Sequence, residues 1–316
     1  MKNCEGKKMD NKRSTIDDVA KLAGVSKATV SYVLNYSDKK ISHNTRIKVF
    51  AAAEELNYVP DRTARNLSLS KTQDLILNQA DIGIVTRLNS ENSDTYSYVS
   101  SFFLSNLSKG MSHSMFNLGV IDFNEQESIS QEKFNSNNLD LVILNDLDLN
   151  DSIKLKEDIY IPILFLNSCI EDTLFHKINF NYEKAFEIAN ADTLIASSIT
   201  NDYFDSQAEN YFFKDRIYKP RNSKEFYKVI SENKNKRILF SNDILASQAL
   251  NSLKLENIVS LVSSENNMIS EHRSILKIKL PFSELIAETV FAADKLLMMK
   301  GKELEITKLI EPEIIF

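Results

Sequence analysis

The 316-residue sequence has no tryptophan, two cysteines, five prolines and six glycines. Cys4 and Cys169 are too few and too far apart for a disulfide framework or a thiolate metal site, and such usage fits a reducing cytosol. The histidines, His43, His113, His176 and His272, are dispersed and lack the spacing of zinc ligands. Scarce glycine leaves little from which to build a phosphate-cradling loop. GxGxxG, Walker-type, GxSxG and HExxH strings are all missing, so neither an enzyme nor a bound cofactor is expected. There is no apolar run of membrane-spanning length, and the charged start, MKNCEGKKMDNKRS, is followed by no signal-type apolar stretch. Neither export nor a membrane partner is expected.

What is present is a chain that is 43% hydrophobic, enough to bury real cores. Its length suits two or three folding units. The net charge of −6 divides unevenly along it. Residues 1–70 hold 13 Lys and Arg against 8 Asp and Glu, whereas the remainder holds 25 against 36. The basic charge therefore sits in the leading segment, where a polyanion would attract it.

Three short helices are written into residues 14–58. Thr15 and Asp18 have capping-box spacing, Ile16, Val19, Ala20 and Ala23 fall on one face, and Gly24 stands at a helix-ending position. After a two-residue link Ser26 caps a second helix, with Val30, Val33 and Leu34 turned inward and Lys27, Ala28, Thr29, Ser31 and Tyr32 on its first turn and opposite side. Ser42 caps a third, running to about Asn57, whose stripe is Val49, Ala52, Ala53 and Leu56, with Tyr58 just beyond. Two helices joined by so tight a turn form a helix-turn-helix, whose second helix enters the major groove in DNA-binding proteins; the same geometry also occurs in helical cores with no DNA role, and spacing alone does not choose between them.

The strings TIDDVAKLAGVSKATVSYVLN (Thr15 to Asn35) and ISHNTRIKVFAAAEELNYVPDRTARNLS (Ile41 to Ser68) resemble the headpiece and hinge of the LacI/GalR family of bacterial repressors. The resemblance implies base reading by Lys27, Ala28 and Tyr32, and phosphate or groove-wall contacts by Thr29 and Ser31. Thr15, Ser26 and Asn35 complete the headpiece's DNA-facing set. Tyr32 replaces a common arginine, removing a bidentate fork for guanine. Residues 59–79 then form a hinge helix and linker too short to be stable alone. In it Leu67 matches the apolar wedge that the family drives into the minor groove, while Arg62 and Arg65 neutralise phosphates. Asp61 departs from a frequent asparagine. Two headpieces reading a pseudo-palindrome imply a homodimer on a double-stranded operator.

From residue 80 to 316 the pattern is α/β. Apolar runs at Ile82–Val85, Val120–Phe123, Leu139–Leu144, Pro162–Leu166, Thr193–Ala196, Arg237–Phe240 and Ile258–Val262 read as strands, and Phe103–Asn117, Glu183–Asn190, Ser223–Glu232 and Asp243–Leu253 as helices. By resemblance this part is a periplasmic-binding-protein-like domain of two Rossmann-like lobes, serving dimerisation and effector binding. Its expected cleft residues are Phe103, Asn167, Phe180, Asn242 and Glu265. Here the family pattern is loose: Asn167-Ser168 stands for a common Asp-Arg pair, Phe180 for a frequent Asp, and Lys184 for a small residue. The span from Thr200 to Arg237 is also short for the family.

The sequence thus implies a flexible tail (1–13), a headpiece (14–58), a hinge (59–79) and a two-lobe domain (80–316). The expected function is cytoplasmic transcription repression, modulated by a small metabolite, a sugar or a relative of one, or by a regulatory protein. The competing reading is a soluble ligand-binding or protein-interaction module that no longer selects DNA.

Overall fold

The computed structural model describes residues 14–34, 41–56, 58, 80–87, 94–114, 116–123, 139–159, 161–298 and 301–315. By contact the chain divides into two compact units, Met1–Asn78 with Met298–Glu303, and Gln79–Leu297 with Leu304–Phe316.

In the first unit, α1 (Ile16–Ala23), α2 (Lys27–Leu34) and α3 (His43–Glu55) follow the sequence signals closely. The Asp18 carboxylate accepts from the Thr15 N–H at 2.9 Å and the Thr15 hydroxyl at 2.7 Å. Gly24 ends α1 in the left-handed region, φ 67°, where an L side chain is strained. That turn lets the Val25 N–H return to the Ala20 carbonyl at 3.1 Å, satisfying an orphan acceptor. Ser26 and Ser42 cap the next two helices by accepting from the N–H groups of Thr29 and Thr45. Val19, Ala20, Ala23, Val30, Val33, Leu34, Val49, Ala52 and Ala53 form the core, with Ile16, Leu56 and Tyr58 packed at its edge. Its small side chains allow close helix approach but bury little area, so the unit is marginal by itself.

The second unit contains two α/β lobes of matching order. The first sheet is built from β1 (Ala80–Thr86), β2 (Phe116–Asp122), β3 (Leu141–Asn145), β4 (Ile163–Leu166), β5 (His176–Phe180) and β11 (Thr307–Ile310). It is parallel throughout, in the order β2-β1-β3-β4-β5-β11. The second comprises β6 (Thr193–Ile195), β7 (Ile217–Tyr218), β8 (Ile238–Phe240), β9 (Ile258–Val262), β10 (Leu276–Lys279) and β12 (Glu313–Ile315). Its order is β7-β6-β8-β9-β10-β12, parallel except for the antiparallel final pair.

The helices are α4 (Asp94–His113), α5 (Leu149–Asp158), α6 (Tyr182–Ala189), α7 (Asp202–Tyr211), α8 (Ser223–Glu232), α9 (Asp243–Ala249) and α10 (Phe282–Leu297). The chain crosses between lobes after β5, after β10 and between β11 and β12. Consequently α6 packs on β9 and β10, and α10 on β3, β5 and α4. Gly110 permits the α4–α10 approach: a Cβ there would lie 3.0 Å from Ile286 Cγ2. Two crossovers are pinned together where the Asn181 side chain donates to Glu311 at 2.9 Å.

Several sequence expectations shift. The helix expected over Phe103–Asn117 begins earlier, at Asp94, and its last expected residues belong to β2. The helix expected to reach Leu253 ends at Ala249. Strands β5, β7, β10, β11 and β12 and helices α5, α7 and α10 were not expected. β5 (HKINF) and β10 (LKIK) carry polar residues inside short strands, which breaks the apolar run used as a signal. The short Thr200–Arg237 span still holds α7, β7 and α8, and its economy shows in the two-residue β7.

Candidate functional site

On the helical unit the candidate surface is the start of α2. Ser26, Lys27 and Ala28 are exposed there, Thr29 is half-buried, and Thr15 is exposed at the start of α1. The Ser26 hydroxyl accepts the Thr29 N–H at 3.0 Å and lies 2.9 Å from the Thr29 hydroxyl, so the cap fixes both side chains. Lys27 is ion-paired with Asp17 of α1; both side chains are exposed, at 62% and 42%. Such a pair is worth little in water and leaves the ammonium accessible to a stronger anion. Ser31 and Tyr32 belong to α2, but their side chains lie outside the described residues, as do Asn35, Arg62, Arg65 and Leu67 entirely.

The second candidate site is a cavity of about 130 Å³ between the lobes of the α/β unit. Its polar wall comes from strand ends: Asn145 at the end of β3 and Asp146 just after it, Asn167 after β4, Ser197 after β6, and Ser241 and Asn242 after β8. All lie at the carboxyl ends of parallel strands, and β3, β6 and β8 among these flank the reversal of strand order in their sheets, where open α/β sheets bind ligands. Phe103, Phe180, Tyr182, Phe204 and Phe282 supply its aromatic walls. Phe180 and Phe282 have ring centroids 4.9 Å apart, and Tyr182 and Phe204 5.0 Å.

The hydrogen-bond network leaves few amide groups free. Asn145 donates to Asp146 at 3.3 Å and to the Thr86 hydroxyl at 3.1 Å. Asn201 donates to Asp146 at 2.6 Å while its oxygen caps α7 on the Phe204 N–H at 2.7 Å. Asn242 likewise caps α9 on the Leu245 N–H and donates to Ser197. The Asn167 oxygen accepts the Phe180 N–H at 3.3 Å, and its side chain also bonds Asp146. Both Asp146 and Asn167 have positive φ, 54° and 49°, a conformation that short polar side chains tolerate better than others. Burial raises the Asp146 pKa to about 6, against the opposing amide bonds from Asn167, Asn201 and Asn145. Burial, followed by the Asp146 charge, holds the Tyr182 hydroxyl well above its ordinary value.

Of the five expected cleft residues, Phe103, Asn167, Phe180 and Asn242 line the cavity. Glu265 is not among the lining residues; its side chain is 77% exposed and 3.7 Å from Lys279. Phe102 packs edge-on against Phe282, 6.2 Å between centroids, behind that wall. Sequence reasoning missed Asp146 and Asn201. The signal available was position: Asn145-Asp146 directly follows the apolar run of β3, at a strand's carboxyl end.

Residues 15–61 match the family described as "Bacterial regulatory proteins, lacI family". The match covers the three-helix segment and the start of the residues that follow it. A 62-residue segment is 48% identical to the HTH-type transcriptional repressor PurR of Proteus mirabilis, covering 20% of this chain and 18% of that protein. A 59-residue segment is 51% identical to the ribose operon repressor of Escherichia coli, covering 19% and 18%. Similarity to the probable repressor ExuR of Bacillus subtilis extends over 175 residues at 29% identity, 53% of this chain and 47% of that one. The chain thus matches less than a fifth of the length of the first two of these curated relatives.

The fold is similar to that of the Lac repressor dimer bound to operator and the anti-inducer ONPF. That likeness has 20% identity and a TM-score of 0.55, covering 96% of this chain and 98% of the other. It is also similar to the CelR–cellobiose complex, at 15% identity and a TM-score of 0.54, covering 96% and 99%. Among the described residues no helix is long and apolar enough to cross a membrane.

Proposed function

We propose that this chain is a regulator of the LacI family: a sequence-specific DNA-binding repressor that binds a pseudo-palindromic operator as a homodimer and is modulated by a small effector in its cleft. The observation that carries the reading is the exposed, Ser26-capped first turn of α2, presented after the Gly24 turn within the segment that matches the family. A capped helix end offers backbone N–H groups to phosphate and side chains to base edges. In this reading Lys27, Ala28 and Tyr32 read bases. Thr15, Ser26, Thr29, Ser31 and Asn35 position the headpiece, and Arg62, Arg65 and Leu67 hold the operator centre. Phe103, Asn167, Phe180 and Asn242 contact the effector.

The named relatives are repressors, one of the ribose operon, and one structural neighbour is a complex with cellobiose. A cleft shared by two lobes supports regulation because a ligand that prefers one lobe arrangement shifts the equilibrium toward it. No enzymatic step is assigned to the chain.

The test is recovery of genomic fragments bound by the full-length protein, followed by titration of a labelled duplex at several salt concentrations. The expected result is a recurrent inverted repeat bound with steep salt dependence, and a sequence preference that weakens in Lys27→Ala while dimer mass is unchanged. Equal affinity for the recovered site and a scrambled duplex would remove the regulator reading and leave a ligand-binding module.

A further inference from the structure

The inter-lobe cavity has an unusual balance of charge for a pocket rich in polar groups. Asp146 lines it, and among the described residues no lysine or arginine does. The cation behind Thr200, Lys219, is already engaged at 2.6 Å by Asp205 and at 2.6 Å by the Thr200 hydroxyl. Asp202 adds a further carboxylate at the same helix start, where it accepts the Leu149 N–H. An anionic ligand would therefore lose its hydration without gaining a counter-charge.

A hydroxyl-rich neutral ligand is also poorly served. Such a ligand needs side-chain amides and carboxylates free to donate and accept in pairs. Here Asn167, Asn201 and Asn242 each use their oxygen on a backbone N–H and their amide within the protein. The hydroxyls of Tyr182, Ser197 and Ser241 remain, and the charged group among the lining residues is Asp146, which keeps acceptor capacity: a carboxylate has about four lone-pair sites, and three amides occupy it.

The aromatic walls complete the argument. Ring faces carry partial negative charge and attract cations within about 6 Å. A volume of about 130 Å³ is small beside the roughly 300–1,000 Å³ typical of ligand pockets, so it suits a body of few heavy atoms.

We propose that the cleft takes a small organic cation, an ammonium group on a short apolar body, with Asp146 as its counter-ion and Phe103, Phe180, Tyr182, Phe204 and Phe282 as its walls. This rests on the reading of the cleft as the effector site and names the chemical class of the effector.

The experiment uses three four-carbon probes of similar shape, butylammonium, butanol and butyrate, titrated calorimetrically into the full-length protein at pH 7.5. Butylammonium should bind at least about tenfold more tightly than butanol, and butyrate should give no binding heat. Asp146→Asn should lower butylammonium affinity about tenfold, to the level of butanol. Should that variant misfold, Phe282→Leu, which keeps an apolar wall without a π-face, should reduce the ammonium-to-alcohol ratio by about threefold or more. No binding of butylammonium at millimolar concentration, equal or tighter binding of butanol or butyrate, or an unchanged preference in a folded Asp146→Asn protein would overturn the proposal. Operator selection is measured on the same preparation without probe. A recurrent palindrome without ammonium preference sinks the cation and leaves the regulator; ammonium preference without operator selection does the reverse.

Discussion

The Asn201 side-chain amide donates to an Asp146 carboxylate oxygen across 2.6 Å, joining the start of α7 in the second lobe to the end of β3 in the first. Two neighbours act across the same gap. The Asp202 carboxylate accepts the Leu149 N–H at 2.9 Å, and the Tyr203 hydroxyl donates to the Phe180 carbonyl at 3.0 Å. These three hydrogen bonds, worth about 1 kcal/mol each, join the lobes beside an apolar core that runs through both, and their sum is within reach of a ligand's differential binding energy.

Asn201→Ala should destabilise the α/β unit by about 2 kcal/mol, because it removes the α7 cap and the Asp146 contact together. A double-mutant cycle with Asp146→Asn in urea denaturation should return a coupling near 1 kcal/mol. Strict additivity would mean that the two side chains do not interact in solution.

The Asp146 carboxyl, with a pKa raised from 3.8 to about 6, makes stability depend on pH. A group raised on folding favours the folded state fully below its unfolded value, and that contribution is lost as pH rises through the folded one. Between pH 4 and pH 7 the wild type should lose about 2 kcal/mol, after allowance for solvent in the cleft, that Asp146→Asn does not lose. Denaturation midpoints of both proteins across this window give the comparison, and parallel profiles would contradict it. The groups around the carboxyl are the neutral amides of Asn145, Asn167 and Asn201 and the Tyr182 hydroxyl, which stays protonated throughout.

Gly24→Ala isolates backbone strain, since a Cβ there would meet nothing within 4 Å. The expected cost is about 1 kcal/mol, seen as roughly fivefold faster amide hydrogen exchange in α1, with exchange in β1 and β3 unchanged. An unaltered rate in α1 would show that the turn relaxes out of the left-handed region.

Asp17→Asn frees Lys27 from its exposed ion pair. If Lys27 faces DNA, operator affinity should rise several-fold and the salt dependence should steepen by about one counterion. Weaker binding, read by titration of labelled duplex, would place Asp17 rather than Lys27 at the interface.

The two units differ in how openly the sequence declares them. Thr15, Asp18, Gly24, Ser26 and Ser42 act within a few residues of themselves, so the three headpiece helices can be read from local spacing. The lobes were legible as strand-and-helix alternation, yet β5 and β10 were hidden because Lys177 and Lys277 interrupt them. Lys277 is only 1% exposed, and its ammonium reaches the His272 carbonyl at 3.0 Å. The cleft was the least legible part. Asp146 and Asn242 follow strand ends and Asn201 caps a helix, all separated by dozens of residues, and their meeting depends on the two sheets facing each other.

The last two strands go one to each sheet, β11 beside β5 and β12 beside β10. Neither lobe therefore has all its strands until the ribosome has released nearly the whole α/β segment. The first lobe waits with the β5 edge bare while the second is still being synthesised. Nascent-chain misassembly should accordingly concentrate at that waiting edge, and a chaperone that shields β-strand edges should raise the yield of folded protein.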